Sequence, residues 1–152
     1  MPSISVCMPA YNEEPNLPGM IADVVRVMRA RGDEFEIVVT NDGSKDRTGA
    51  VLQELAQIYP ELRPVDHPVN RGYGAAVFTA ITNARKDLVF FTDSDRQFKL
   101  EELDRLLPLI ASADMVVGYR APRRDPPVRV LFGKGWSMLV TILFGYTVRD
   151  ID

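Results

Sequence analysis

Two acidic clusters, each following an apolar run, have the residue types and spacing for chemistry. Ile37-Val38-Val39-Thr40 leads into Asn41-Asp42-Gly43-Ser44, and Leu88-Val89-Phe90-Phe91-Thr92 leads into Asp93-Ser94-Asp95-Arg96-Gln97. On an extended strand, residues two apart share a face, so Asp93 and Asp95 can approach one site and Gln97 can join them. Such oxygen ligands suit Mg²⁺ or Mn²⁺, with one or two carboxylates supplied by the protein and the rest of the shell by a diphosphate and water. The same residues also make an ordinary polar turn. Asp42 has a similar double reading: a carboxylate at a strand end can accept from the N–H of uracil or guanine. Asp-Gly-Ser is equally common turn chemistry, with Ser44 or Asp46 able to cap the next helix.

Two further segments belong to the same rim. Pro9-Ala10-Tyr11-Asn12-Glu13 offers a stiff backbone, a flat aromatic face for a base and an acceptor for base or ribose. Asn70-Arg71-Gly72-Tyr73-Gly74 offers glycines for close approach and an arginine where a helix begins, a place that favours anions. It lacks the Gly-x-Gly-x-x-Gly spacing of a dinucleotide loop.

The elements that must position these groups alternate. A buried strand is expected at Ser3–Met8, a second, β-branched and continuous as parallel-sheet strands usually are, at Phe35–Thr40, and a third strong strand at Leu88–Thr92. Leu62–Asp66 is shorter and interrupted by Pro64, which predicts an edge strand, and Met115–Tyr119 predicts another short one. Helical spacing predicts helices from Asn16 to Ala30, Thr48 to Tyr59, Ala75 to Ala84 and Leu100 to Ala111. This alternation implies an α/β fold: a doubly wound, mostly parallel sheet with helices on both faces, whose ligands sit beyond the carboxyl ends of the strands.

A length of 152 residues fits one domain, and a net charge of −3 gives no reason to expect nucleic-acid binding. The single cysteine, Cys7, lies in an apolar run and reads as a core residue in a reducing compartment. Met1-Pro2-Ser3 leads straight into a strand, so no secretory signal is expected. Locally the charge is different. Arg120, Arg123, Arg124, Arg129 and Lys134 crowd a stretch opposed only by Asp125, and Gly135–Val148 follows as 14 residues without a charge. That run is too short to span a bilayer and reads as a core or interfacial helix.

Taken in order, Pro-Ala-Tyr-Asn-Glu, Asn-Asp-Gly-Ser-Lys-Asp-Arg-Thr, Asn-Arg-Gly-Tyr-Gly-Ala-Ala and Asp-Ser-Asp-Arg-Gln closely resemble the inverting, GT-A-fold glycosyltransferases of family 2. Within that family the resemblance is to the dolichol-phosphate mannose synthase and polyprenyl-phosphate glycosyltransferase branch. It implies that Pro9, Tyr11, Glu13, Val39 and Asp42 contact the nucleoside of a UDP- or GDP-linked sugar. It implies that Asp93, Asp95 and Gln97 hold the metal and diphosphate, with Ser94 beside them. Arg120 and Arg129 match phosphate-binding arginines of the branch, and with Asp95 they form the implied catalytic set. Asn41, where many relatives carry Asp, and Arg96, where the mannose synthases carry Leu, are departures; neither removes an implied ligand, and Arg96 weakens the case for mannose.

The reaction so implied is attack of an acceptor oxygen on the anomeric carbon, with the nucleoside diphosphate leaving. No clear general base stands in the sequence. A lipid phosphate acceptor, anionic at neutral pH, needs a cationic cradle instead, which the arginines supply. The domain reading is a nucleotide-sugar core over 1–119, then a basic acceptor loop and apolar helix over 120–152 contacting the cytoplasmic face of a membrane. In relatives an Asp like Asp150 opens an Asp-x-x-x-Gly-Phe segment, so the chain reads as part of a longer protein. A nucleotidyltransferase is disfavoured by Ala-Tyr-Asn-Glu where its Gly-rich loop belongs. A non-catalytic nucleotide-sugar-binding module and a transferase with a hydroxyl acceptor are the remaining alternatives.

Overall fold

The computed structural model describes residues 2–94, 100–118, 135–136, 138–143 and 145. Among the described residues, four strands and three long helices alternate: β1 (Ile4–Ala10), α1 (Leu17–Arg31), β2 (Phe35–Asp42), α2 (Thr48–Ile58), β3 (Leu62–His67), α3 (Tyr73–Thr82) and β4 (Leu88–Phe91). The sheet is parallel throughout, in the order β3-β2-β1-β4. Every residue of β1 is buried, and so is β2 after Phe35. Strands covered on both faces have no solvent side, which is why their sequences run apolar without alternation. The Pro-bearing strand β3 takes an edge, as expected.

The order dictates the layers. Steps from β1 to β2 and from β2 to β3 move one way; the step from β3 to β4 returns past both to the far edge. Parallel crossovers are right-handed, so α1 and α2 share one face and α3 covers the other. In keeping with this, α1 packs on α2, and α3 packs on β1 and β2. Leu17, Met20, Ile21, Val24, Val25 and Met28 make the buried stripe of α1, which ends at Gly32 in the left-handed conformation, φ 74°. Across the sheet, Cys7, Val38 and Ala80 form a small core under α3, where alanine lets the helix approach closely. The winding direction reverses between β1 and β4, and an open α/β sheet offers its ligand crevice at such a reversal.

The chain divides into two compact units, Met1–Glu102 and Leu103–Asp152. The expected helix Leu100–Ala111 is replaced by short turns: a 3₁₀ turn at Leu100–Glu102 that closes the first unit and, in the second, a single α turn at Leu103–Leu106 and a 3₁₀ stretch at Leu107–Ser112. Pro108 is the physical reason, since it lacks an N–H and its ring opposes the carbonyl four residues back. Leu103 is buried, whereas Leu106, Leu107 and Ile110 are only half-buried. Of the strand expected at Met115–Tyr119, the described residues 115–118 are not extended into any ladder, and Met115 and Val117 are exposed. A strand without a partner has no stability of its own. Residues 135–136 and 138–143 are helical, with Trp136, Met138, Leu139, Ile142 and Leu143 exposed.

Candidate functional site

Beyond the carboxyl ends of β1, β2 and β4 lies a cleft of about 380 Å³, lined among others by Pro9, Tyr11, Glu13, Asp42, Gly72, Tyr73, Asp93 and Ser94. The loops after β1 and β2 are clamped together. Asn12, at φ 55°, donates its N–H to Ser44 Oγ at 3.0 Å and accepts from the Lys45 N–H at 2.9 Å. The Glu13 N–H donates to Thr48 Oγ1 at 2.9 Å, and the Arg47 N–H to Glu14 Oε2 at 3.1 Å. Asp46 accepts from the Thr48 N–H at 3.0 Å in the turn before α2, whose N-cap position is Arg47, so neither Ser44 nor Asp46 takes the expected cap position. Tyr11 is left exposed on the cleft wall, and one Glu13 oxygen is taken by Asn16 Nδ2 at 2.7 Å.

Asp42 is 2% exposed and accepts three hydrogen bonds from within the protein. Its Oδ1 faces His67 Nδ1 at 2.6 Å and the Arg71 N–H at 2.9 Å; its Oδ2 takes the Gly72 N–H at 2.9 Å. Burial alone would push this carboxyl up, but the Arg71 amide, the His67 ring and the Gly72 amide outweigh it, and the group stays below the ordinary aspartate range. It is therefore ionised. A carboxylate has about four acceptor sites; three are filled, and one on Oδ2 remains. The Arg71–Gly72 segment so gripped opens α3, whose positive N-terminal end borders the cleft.

Asp93 follows β4, half-buried, and its Oδ1 accepts the Tyr73 hydroxyl at 2.9 Å. Ser94 is buried beside it. Val39 sits fully buried inside β2, paired with Met8 and Pro64, rather than on the cleft wall: three residues back from the strand's end at Asp42 is a core position in this sheet. Asp95, Gln97, Arg120 and Arg129 lie outside the described residues, as do Arg123 and Arg124. The structure thus brings Pro9, Tyr11, Glu13, Asp42, Asp93 and Ser94 to one cleft. It adds a residue that sequence reasoning passed over. His67 stands one position beyond the expected end of the edge strand, and only its register opposite Asp42 reveals it.

A glycosyl transferase family 2 domain model matches residues 5–143. The chain belongs to glycosyl transferase family 2. Dolichyl-phosphate beta-glucosyltransferase ALG5C of Trichomonas vaginalis is 32% identical over 160 residues, covering 94% of this chain and 48% of that protein. Undecaprenyl-phosphate 4-deoxy-4-formamido-L-arabinose transferase of Pectobacterium carotovorum is 35% identical over 151 residues, covering 97% and 46%. The chain thus spans about half the length of the curated relatives it matches. Among solved structures, the mannosyltransferase PcManGT of Pyrobaculum calidifontis, in complex with GDP-Man and Mn²⁺, superposes with a TM-score of 0.65 at 26% identity, over 74% of this chain and 33% of that one. Residues 1–349 of S. aureus TarS in complex with UDP superpose with a TM-score of 0.62 at 24% identity, over 82% and 38%, which bears on the fold alone. The fold of this family 2 domain is accordingly GT-A, with an all-parallel four-stranded sheet.

For a divalent metal, the described residues hold no group of three or more His, Cys, Asp or Glu side chains. Asp93 nevertheless fits a shared site. It follows β4 at the cleft, and the Tyr73 bond uses one acceptor position of its carboxylate. Mg²⁺ and Mn²⁺ need only one or two protein carboxylates when phosphates complete the shell.

Proposed function

We propose that this family 2 domain binds a uridine-diphosphate sugar in the cleft at the β1–β4 reversal and transfers the sugar to a lipid phosphate. The observation that carries the reading is the rim itself: an ionised Asp42, an exposed Tyr11 and Asp93 line one cleft beside the N-terminus of α3. Tyr11 gives a base a flat face. Asp42 has one acceptor site left, matching the single imide N–H of uracil; guanine presents two adjacent N–H donors and asks for two.

Asp93 would hold a divalent ion with Asp95 and Gln97, and that ion would supply charge stabilisation at the departing diphosphate. The chain's own part is orientation. Asp42 fixes the base, the α3 N-terminus favours the anionic diphosphate, and the walls formed by Pro9 and Tyr11 keep the nucleoside in place. Arg120 and Arg129 would meet the acceptor phosphate, whose oxygen attacks the anomeric carbon as the nucleoside diphosphate departs.

Three observations support a lipid acceptor. Relatives carry dolichyl-phosphate and undecaprenyl-phosphate in their names. The basic stretch 120–134 directly precedes the exposed apolar residues of the helix near 135–143. Trp136, Met138, Leu139, Ile142 and Leu143 are exposed, and such an apolar surface suits contact with a membrane. The cytoplasmic face is the side where nucleotide sugars would meet such an acceptor.

The test is calorimetric titration of UDP and GDP, each with and without Mn²⁺, on the wild type and Asp95→Ala. Metal-dependent UDP binding lost in the variant is expected. Preference for GDP would overturn the uridine reading, and no binding of either by folded protein would overturn the donor site.

A further inference from the structure

The chain's only histidine is engaged at both ring nitrogens. His67 ends β3, opposite Asp42 in the ladder, and is 6% exposed. Its Nδ1 lies 2.6 Å from Asp42 Oδ1 and its Nε2 lies 2.9 Å from Thr79 Oγ1 on α3. An ionised carboxylate can only accept, so its partners assign a proton to Nδ1. The Thr79 hydroxyl serves Nε2 as donor or acceptor, whichever the ring requires, and so holds the ring plane in either case.

This places a fixed donor on the sheet side of Asp42. A carboxylate turns readily about its last torsion, and its two oxygens are chemically alike. The Arg71 and Gly72 amides approach it from the loop side only. His67 takes one lone pair of Oδ1 from β3, which sets the carboxylate plane and decides which acceptor site is left over. We propose that His67, backed by Thr79, is a positioning residue for the nucleotide. It touches no substrate and acts by orienting Asp42 so that the loop before α3 is gripped and one acceptor site remains for the base. The proposal rests on the reading of this cleft as a nucleoside-diphosphate site. It follows the logic by which outer partners orient the groups that do the binding.

The test uses the full chain and the nucleotide that the wild type binds with Mn²⁺, UDP or GDP. Affinities are compared for His67→Asn, His67→Leu and Thr79→Val, well below each variant's melting temperature. The amide nitrogen of Asn sits about where Nδ1 does, so His67→Asn keeps the donor to Asp42 and His67→Leu loses it. Expected are an affinity within about threefold of wild type for Asn and a loss of about tenfold or more for Leu, the scale of a hydrogen bond to a charged group. Thr79→Val is expected to weaken binding by about threefold, the scale of one neutral hydrogen bond. In a histidine-labelled sample the single ring's nitrogen resonances are expected to move on nucleotide addition.

If His67→Leu melts lower yet binds as tightly as wild type, His67 is structural only and the proposal falls while the donor site stands. Should His67→Leu fail to fold, wild-type affinity in Thr79→Val together with unmoved ring resonances overturns the proposal. If the wild type binds neither nucleotide, the donor-site reading falls and takes this proposal with it.

Discussion

A Cβ placed on Gly43 would stand 2.4 Å from the backbone nitrogen of Asn70 and 2.4 Å from the carbonyl carbon of Val69. The turn after β2 therefore lies directly against the segment that leads into α3, and the approach is possible only without a side chain. Gly43 is also at φ 63°, where other residues are strained. Both neighbours are backbone and cannot rotate away.

Gly43→Ala is expected to cost about 2–4 kcal/mol, the sum of an overpacked contact and a left-handed alanine. Gly74→Ala is the matched control. It lies in α3 with nothing within 4 Å of an added Cβ, and should change stability by less than about 1 kcal/mol, in the stabilising direction. Urea unfolding of both variants checks this; equal midpoints would contradict the close approach of the two loops.

Cys7 is fully buried in the central strand, and its thiol donates to the Ala80 carbonyl at 3.4 Å. Burial, with the Glu36 charge adding and Arg63 opposing, pushes the thiol up to about 11. At pH 8 the thiolate fraction is then on the order of 0.1%. A thiol-exchange reagent is expected to leave the native protein unlabelled for hours and to titrate one thiol per chain on unfolding. Rapid native labelling would mean that β1 opens locally.

What the sequence makes legible and what it hides divide along physical lines. β1 and β2 are readable because strands buried on both faces run mostly apolar, with Ile4, Val6, Cys7 and Met8 in one and Ile37, Val38 and Val39 in the other, and α1 is readable because an apolar stripe runs into a stop at Gly32. The stretch after Leu100 misleads, since leucines at helical spacing surround a proline that breaks the helix. Asp42 is legible as a carboxylate at the rim. That three of its acceptor positions are filled by His67, Arg71 and Gly72 is not, because lateral pairing of β2 with β3 and the return of the loop before α3 are tertiary facts. No local pattern marks His67 as the partner of a residue 25 positions away.

Glu36 anchors the opposite end of the sheet. Its Oε1 accepts from Ser5 Oγ at 2.7 Å and the Arg85 N–H at 2.6 Å, and its Oε2 from Arg63 Nη1 at 2.7 Å. Burial would raise this carboxyl, but the Ser5, Arg63 and Arg85 hydrogen bonds and the Arg63 charge hold it below the ordinary glutamate range. The folded protein then binds fewer protons than the unfolded chain in acid, so stability rises with pH through this window. The contribution is complete above the unfolded carboxylate range near pH 4–5 and is lost as pH falls through the lower folded value. Glu36→Gln is expected to cost about 2–3 kcal/mol at pH 7. Its melting temperature should converge on that of wild type as the pH drops below about 4. A gap that is the same at pH 3 and pH 7 would show that packing, not charge, is what Gln loses.

Tyr73 is the first residue of α3, directly after the amides that Asp42 grips, and its hydroxyl reaches Asp93. One side chain therefore joins the loop beside Asp42 to the carboxylate after β4. Tyr73→Phe deletes only that oxygen. The residue is largely exposed, so stability should change by less than about 0.5 kcal/mol. If Asp93 is a metal ligand oriented by Tyr73, Mn²⁺-dependent nucleotide binding should weaken by about tenfold, at the low end for loss of an orienting partner. Metal-free nucleotide binding, which the proposed function assigns to Tyr11 and Asp42, should stay within about twofold, since neither is altered. Titrations of Tyr73→Phe with and without Mn²⁺ separate the two. A loss of equal size in both arms would assign Tyr73 to the nucleoside wall instead of to Asp93.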